Sequence, residues 1–267
     1  ITVSNGLGTV SNLGSGTLTL SGTLTKNGTI LRLNQGIFNV SGRITGANAN
    51  SDLYVDNATV TLSNTNNDYN GPTLVYGGGT LVLGTNNVIP DASAVTLGGA
   101  SGAGTGALTV AGFTDTIASL TTGNDGSTVG ISVNAGSTGS LTMGNLTFGA
   151  GTDTLALSMT SPSLGRYTLL TYTGVRSGTF DTVTGLTDSR YNVVYGASSN
   201  STIDLQMKAN QAATFTMTTG AVTRALVNTN VTVSGTVSNS SPANSTALTL
   251  GLSSTGLSGS EIGRAHV

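Results

Sequence analysis

"TLVYGGGTLVLGTNN", Thr73 to Asn87, states one pattern twice: Thr-Leu-Val-Tyr, the glycines Gly77 to Gly79, then Thr-Leu-Val-Leu and Gly84. Each half is too short to bury an apolar face alone, and glycine tolerates the left-handed backbone that a tight change of direction needs. The reading is two consecutive strands with Gly77 to Gly79 as the corner. Outward from this stretch the same phrase recurs as "TLTLSG" from Thr17, "TILRLNQG" from Thr29, "IFNVSG" from Ile37 and "TVTLSN" from Thr59. It returns as "AVTLGG" from Ala94, "ALTVAG" from Ala107, "SLTMGNLTFG" from Ser140 and "TLALSM" from Thr154. Alternation at period two, closed each time by Gly, Asn or Ser, reads as half-buried strands separated by turns.

Short imperfect units that bury their apolar faces only by stacking define a solenoid. The expected fold is therefore all-β, a parallel β-helix. With roughly 20 residues per coil and about 4.8 Å between stacked strands, some ten coils would build a rod about 50 Å long. An antiparallel sandwich is the rival, and the monotony of the units, with aromatics at only 4%, favours the solenoid. Between 161 and 208 the chain turns richer in Tyr, Arg and Asp, the texture of a terminating or capping portion. From about Ala209 longer alternating runs begin, read as the start of a β-sandwich-like domain over 209–260.

The last seven residues, "EIGRAHV", hold Glu261 and His266, the only Glu and the only His of the chain. Codons for this heptapeptide, all but the first base, match the start of a widely used sequencing adapter. Residues 261–267 are therefore expected to be adapter-derived. The chain also opens at Ile1, in mid-pattern, and is read as cut from something longer.

Only 7% of the 267 residues are charged, against roughly 25% in ordinary globular domains, and the net charge is -2. No basic stripe exists to neutralise phosphates, so nucleic acid is not an expected partner. No apolar run approaches the roughly 18 residues of a membrane-spanning helix. Without cysteine there is no disulfide scaffold, no thiolate metal site and no Cys nucleophile.

From Thr59 to Gly99, "TVTLSNTNNDYNGPTLVYGGGTLVLGTNNVIPDASAVTLGG" is similar to the autotransporter-associated β-strand repeat, also called the passenger-associated transport repeat. That family's "LSGxNTYxGxT" segment corresponds to "LSNTNNDYNGPTLV", with Asn64 and Pro72 departing from its Gly and Thr. Its "GGTLxLG" corresponds closely to the segment from Gly77. "YTLLTYTGVRSGTF" from Tyr167 also resembles the segment that often ends passenger β-helices. The resemblance implies a right-handed parallel β-helix on the outer surface of a Gram-negative-type bacterium, or secreted by it, often after passage through an outer-membrane barrel. The missing cysteines fit that route.

Catalytic β-helices such as pectate lyases use clustered carboxylates, calcium and a basic residue. Here Asp52, Asp56, Asp181, Asp188 and Asp204 stand mostly apart; Asp52 and Asp56, four residues apart on one strand face, form the nearest pair. Arg190 beside Asp188 reads as a surface pair on the last coil. "GAGTDTLAL", Gly149 to Leu157, partly matches a calcium-binding nonapeptide, echoed by "GND" at Gly123 to Asp125, but without tandem copies Asp153 reads as a corner residue. A serine hydrolase needs a base, and a Ser–Lys variant would need Lys26 or Lys208 buried beside a serine, which neither context suggests. "GLGTVSNLGSG" lacks the Lys of a phosphate-binding loop. Tyr54, Tyr69, Tyr76 and Tyr167 would form a carbohydrate-binding face only if their rings share one exposed plane; core and corner packing is the expected role.

These readings converge on a structural or adhesive, non-catalytic rod, with surface polysaccharide or other cells as partners. No catalytic, cofactor or metal residue is nominated. A polysaccharide-active lyase or hydrolase on the same scaffold is the alternative, and a calcium-stabilised roll a third.

Overall fold

The computed structural model describes residues 2–3, 6–99, 104–134, 136–187, 190–207, 214–217 and 235–238. Contacts divide the chain into two compact units, Ile1–Lys208 and Ala209–Val267. In the second, Thr214–Met217 pairs antiparallel with Gly235–Ser238. The sandwich-like character expected for 209–260 and the tail 261–267 otherwise lie outside the described residues.

The first unit is a parallel β-solenoid whose described residues contain no helix. Its coils have three faces. The second face stacks Leu7–Ser11, Ile30–Val40, Leu53–Leu62, Thr73–Tyr76, Ala94–Leu97, Thr114–Thr122, Ser140–Thr147 and Gly165–Ser177, all parallel. The third stacks Thr17–Leu20 on the ends of Ile30–Val40 and Leu53–Leu62, then Gly79–Leu83, Gly106–Ala111, Ser127–Asn134, Asp153–Thr160 and Thr182–Thr184. The first face opens with Thr2–Val3, Leu24–Lys26, Ile44–Gly46 and Asp68–Tyr69.

Each step along a face costs 20 residues at its shortest, Leu53 to Thr73, and 30 at its longest, Leu146 to Arg176. The second face thus has eight strands, fewer than ten coils. The longer steps put their extra residues into the corners, as between Leu97 and Gly106.

Register turns the alternation into columns. On the third face Phe38, Val60, Leu81, Leu108, Val129 and Leu155 stack inward through successive coils, each 0% exposed. Their neighbours Thr59, Thr80, Ala107, Thr128, Thr154 and Thr182 stack outward. Burial drives the inner column, while the outer one needs β-branched side chains that tolerate a copy of themselves one strand away, where like charges would repel. Threonine meets both demands, which accounts for the neutral, hydroxyl-rich composition.

The corner between second and third faces is itself a stack of left-handed residues: Gln35 (φ 59°) and Gly36 (75°), Asn57 (47°), Gly77 (64°) and Gly78 (81°), Gly98 (79°) and Gly126 (87°). The quoted stretch is therefore one strand of the second face, Thr73–Tyr76, turned by Gly77 and Gly78 into one strand of the third. Asparagines fasten coil to coil beside the strands. Asn67 accepts from Ile44 N (2.8 Å) and donates to Val88 O (2.7 Å), Asn64 donates to Ser41 O (2.9 Å), and Asn145 accepts from Val175 N (2.9 Å).

At the C-terminal end the direction reverses. Gly165–Ser177 pairs antiparallel with Ser199–Met207, which pairs antiparallel with Tyr191–Tyr195. Asp204, fully buried there, accepts from Arg166 (2.5 Å), Thr168 Oγ1 (2.7 Å) and Thr202 Oγ1 (2.5 Å). Burial alone would raise its carboxyl, and these donors outweigh it, holding Asp204 below the usual carboxylate range.

The corner glycines carry different demands. A Cβ on Gly78 would meet nothing within 4 Å, whereas one on Gly77 would lie 2.3 Å from Asp56 Oδ1. Gly78→Ala should cost only its left-handed conformation, about 1–2 kcal/mol. Gly77→Ala should cost at least about twice that, because the Asp56 carboxylate must also move. Urea denaturation of the two variants measures the difference.

Candidate functional site

Three places gather polar side chains beyond what the ladder itself needs. The first is the outer side of the second face. Arg32 lies in register with Tyr54, and Asn34 with Asp56 and then Tyr76, so strand pairing brings these residues together. Arg32 forms an ion pair with Asp56, which also accepts from Asn34 Nδ2 (2.7 Å). Asp52 lies on the same outer side, as its four-residue spacing from Asp56 implies. Burial raises its carboxyl, against the opposing pull of the Lys26 charge and a hydrogen bond with Tyr54. The pair holds no metal geometry: Asp56 is taken by Arg32 and Asn34, and among the described residues no group of three His, Cys, Asp or Glu converges.

Two of the four tyrosines meet on this face. Tyr54 and Tyr76 lie with ring centroids 5.8 Å apart and planes at 82°, an edge-to-face pair, with the Arg32 guanidinium 5.9 Å from the Tyr76 ring. Tyr69 is 1% exposed, inside the solenoid. Tyr167, on the capping strand, donates to Ser163 O (2.8 Å). The four rings share no plane.

The second place is the interior. Lys26 is 0% exposed, which corrects the expectation that its context does not suggest burial. Leu24 and Lys26 have the same parity on one strand, so a strand that turns Leu24 inward turns Lys26 inward as well. Its Nζ donates to the carbonyl of Ser51 (2.6 Å) and lies 4.0 Å from the Tyr69 ring centre. Burial lowers the ammonium to about 7, with Asp52 pulling the other way. A serine does stand beside it. The Ser51 hydroxyl, however, accepts from Gly28 N (3.2 Å) and donates to Lys26 O (3.3 Å), which makes it a coil fastener. A line of hydroxyls continues from there: Tyr69 Oη to Thr73 Oγ1 (2.7 Å), Thr73 to Ser93 (2.9 Å), and Ser93 to Gly71 O (3.0 Å).

The third place is a cleft of about 340 Å³ between Thr65–Asn70 and Asn87–Ala92 on the first face. Asp68–Tyr69 pairs with Ile44–Gly46 behind it and, among the described residues, with no strand ahead. The reason lies in the next coil. Val88 N and Ile89 N donate instead to Asp115 Oδ2 (2.9 and 3.1 Å) one coil further on, and Pro90 has no N–H to give. Burial raises the Asp115 carboxyl to about 6, Asp91 adds to that, and the amides of Ile89, Val88 and Thr116 oppose it. Asp68 is held by Arg43, whose Nε and Nη2 each donate to one carboxylate oxygen, which keeps its carboxyl below the usual range. Asp91, exposed on the opposite wall, belongs to none of the ion pairs among the described residues. Sequence reasoning missed Asp68, Asn87 and Asp91 as neighbours; the signal available was Pro90, a residue that breaks a ladder where one is due.

The remaining carboxylates are structural. Asp153 is fully buried at a corner, accepting from Thr122 Oγ1 (2.6 Å) and Ser127 Oγ (2.7 Å). Asp181, one coil on, accepts from Asp153 N (2.8 Å). Asp125 accepts from Gly104 N (3.1 Å). Asp188 and Lys208 lie outside the described residues, so the Asp188–Arg190 pair is not placed.

Comparison of the chain with protein-family models, with curated proteins and with solved structures finds no match in any of the three.

The depressed Lys26 has a definite pH signature. Unfolded, the ammonium keeps its proton up to about 10.5; folded, only up to about 7. Between those values the unfolded chain binds more protons, so stability should fall as pH drops from about 10.5 to about 7 and level off below. Lys26→Met should lose that slope and gain about 1–3 kcal/mol at pH 7, because the desolvation of the buried ammonium exceeds what one carbonyl, one ring and Asp52 return, and an apolar side chain does not incur it. Chemical denaturation of both proteins at a series of pH values checks it.

Proposed function

We propose that this chain is a non-catalytic part of a secreted or cell-surface protein of the passenger type, a rod that holds adhesive surfaces away from a bacterial cell. The observation that carries the reading is the in-register ladder itself: eight strands deep on the second face, apolar inside, and faced on the outside of the third face mainly by neutral Thr. Such a ladder grows by adding coils and offers a long surface for many weak contacts, the arrangement that multivalent attachment uses. The segment 59–99, which resembles the autotransporter-associated repeat, lies in consecutive strands and corners of this ladder. Low charge, the absence of cysteine and export to the outer surface of a Gram-negative-type cell fit together on this reading. Its partners would be surface polysaccharide or other cells.

A polysaccharide-active enzyme draws on one specific observation, the presence of both Asp68 and Asp91 on the walls of one cleft. Against it, the Asp68 carboxylate is already engaged by Arg43, so the cleft does not present the two available carboxyl groups that glycosidic cleavage requires.

The two readings separate in one experiment. Purified chain is mixed with insoluble polysaccharides, and both retention on the solid and release of reducing ends are measured. Retention without release is the expected result. Release of reducing ends would replace the adhesive reading with the enzymatic one, and absence of retention on every polysaccharide would remove polysaccharide as the partner.

A further inference from the structure

We propose that the cleft on the first face is a binding site for a single neutral hexose unit, the point at which a glycan chain engages the solenoid. The inference deepens the adhesive reading and rests on it for the source of the sugar.

The cleft exists because a ladder partner is missing. Asp115 pulls the amides of Val88 and Ile89 toward the later coil and Pro90 cannot donate, so the chain between Asn87 and Ala92 stands off from Asp68–Tyr69. What lines the gap is matched to a polyhydroxylated ring. Exposed Asn87 and Asp91 supply an amide that both donates and accepts and a carboxylate acceptor, the chemistry that pairs with vicinal hydroxyls, while Asp68 and Asn70, engaged by Arg43 and by Ala47 O, offer only what those partners leave free. Half-buried Pro90 supplies an apolar edge for the C–H face of the ring, while the Ile89 side chain packs into the core behind it. The volume of about 340 Å³ lies at the low end of small-molecule sites, the size of a single unit with its ordered water.

Charge narrows the class. Two carboxylates face one guanidinium, so the cleft keeps a net negative charge. That disfavours uronic acids, sulfated sugars and phosphates, whose own charge would be desolvated beside Asp91. A divalent cation is less well served than a sugar, because Asp68 is bound by Arg43 and no third carboxylate converges among the described residues.

The test uses the full chain labelled with ¹⁵N and the methyl glycosides of glucose, galactose and mannose as probes, with glucuronate and calcium chloride as comparators. The expected result is that at least one neutral glycoside shifts amide resonances of 67–70 and 87–92. Asp91→Asn and Asn87→Gly, both at exposed positions and the second keeping the left-handed backbone of Asn87 (φ 53°), should weaken that binding at least about fivefold, each removing one charged or amide partner. Glucuronate should bind more weakly than the neutral sugar. Shifts centred on Tyr54 and Tyr76, or unchanged affinity in both variants, would overturn the cleft as the site while leaving the adhesive reading standing. Shifts at the cleft from calcium and from no sugar would overturn it in favour of a cation. Polysaccharide retention combined with no response to any monosaccharide would also overturn the single-unit site.

Discussion

Parallel coils stacked in register, each strand hydrogen-bonded to the equivalent strand of the coils before and after, are the constraint on which everything else in this molecule depends. Once the register is fixed, each position along a coil belongs to a column, and every column must be filled by residues that accept their own kind a few ångströms away. Inward columns become Leu, Val, Ile and Phe. Outward columns become Thr, where a more ordinary surface would carry alternating Lys and Glu. The few charges present are placed where a column ends or is interrupted, as with Arg32 and Asp56 beside the Gly77 corner, Arg43 and Asp68 at the cleft, and Arg166 and Asp204 at the cap.

The alternation was fully legible because it is local: parity along six residues decides which side chains are buried, and the left-handed corner at Gly77 and Gly78 announces itself as a glycine run. The length of a coil was less legible. Corners absorb extra residues, and a register shift between Met143 and Leu146 adds one more, so the step varies from Leu53–Thr73 to Leu146–Arg176 with no periodic trace in the sequence. Lys26 shows a different limit. Its inward direction could be read from Leu24, yet the features that make burial tolerable come from the Ser51 carbonyl and the Tyr69 ring, 25 and 43 residues away. The cleft is harder still, since it arises from an absent pairing between Asp68–Tyr69 and the coil ahead, and an absence leaves only Pro90 as its mark.

The polar features inside the solenoid follow the same logic of continuity. A lysine, three hydroxyls and a carbonyl form an unbroken line through Tyr69, Thr73, Ser93 and Gly71, so an interior otherwise made of aliphatic columns carries a polar seam with its members partnered. That seam ties together coils already joined by backbone pairing. Asn67 and Asn145 do the same at the outer edges, and the abundance of Asn in the chain reflects this second set of coil-to-coil fasteners as much as it reflects turns.

The reversal at Ser199–Met207 gives the assembly a mechanical polarity. Coil-to-coil hydrogen bonds are arranged in series, so a load that peels the chain away one coil at a time meets them a few at a time, and resistance is set by the weakest coil. Where the antiparallel strand lies over Gly165–Ser177, a force drawing on the C-terminal side must instead slide two oppositely directed strands past one another and extract Asp204 from Arg166 and the Thr168 hydroxyl together. The reversed end therefore acts as a latch, and a load applied past Ser199–Met207 meets the shear-resistant part of the structure before any coil can unwind.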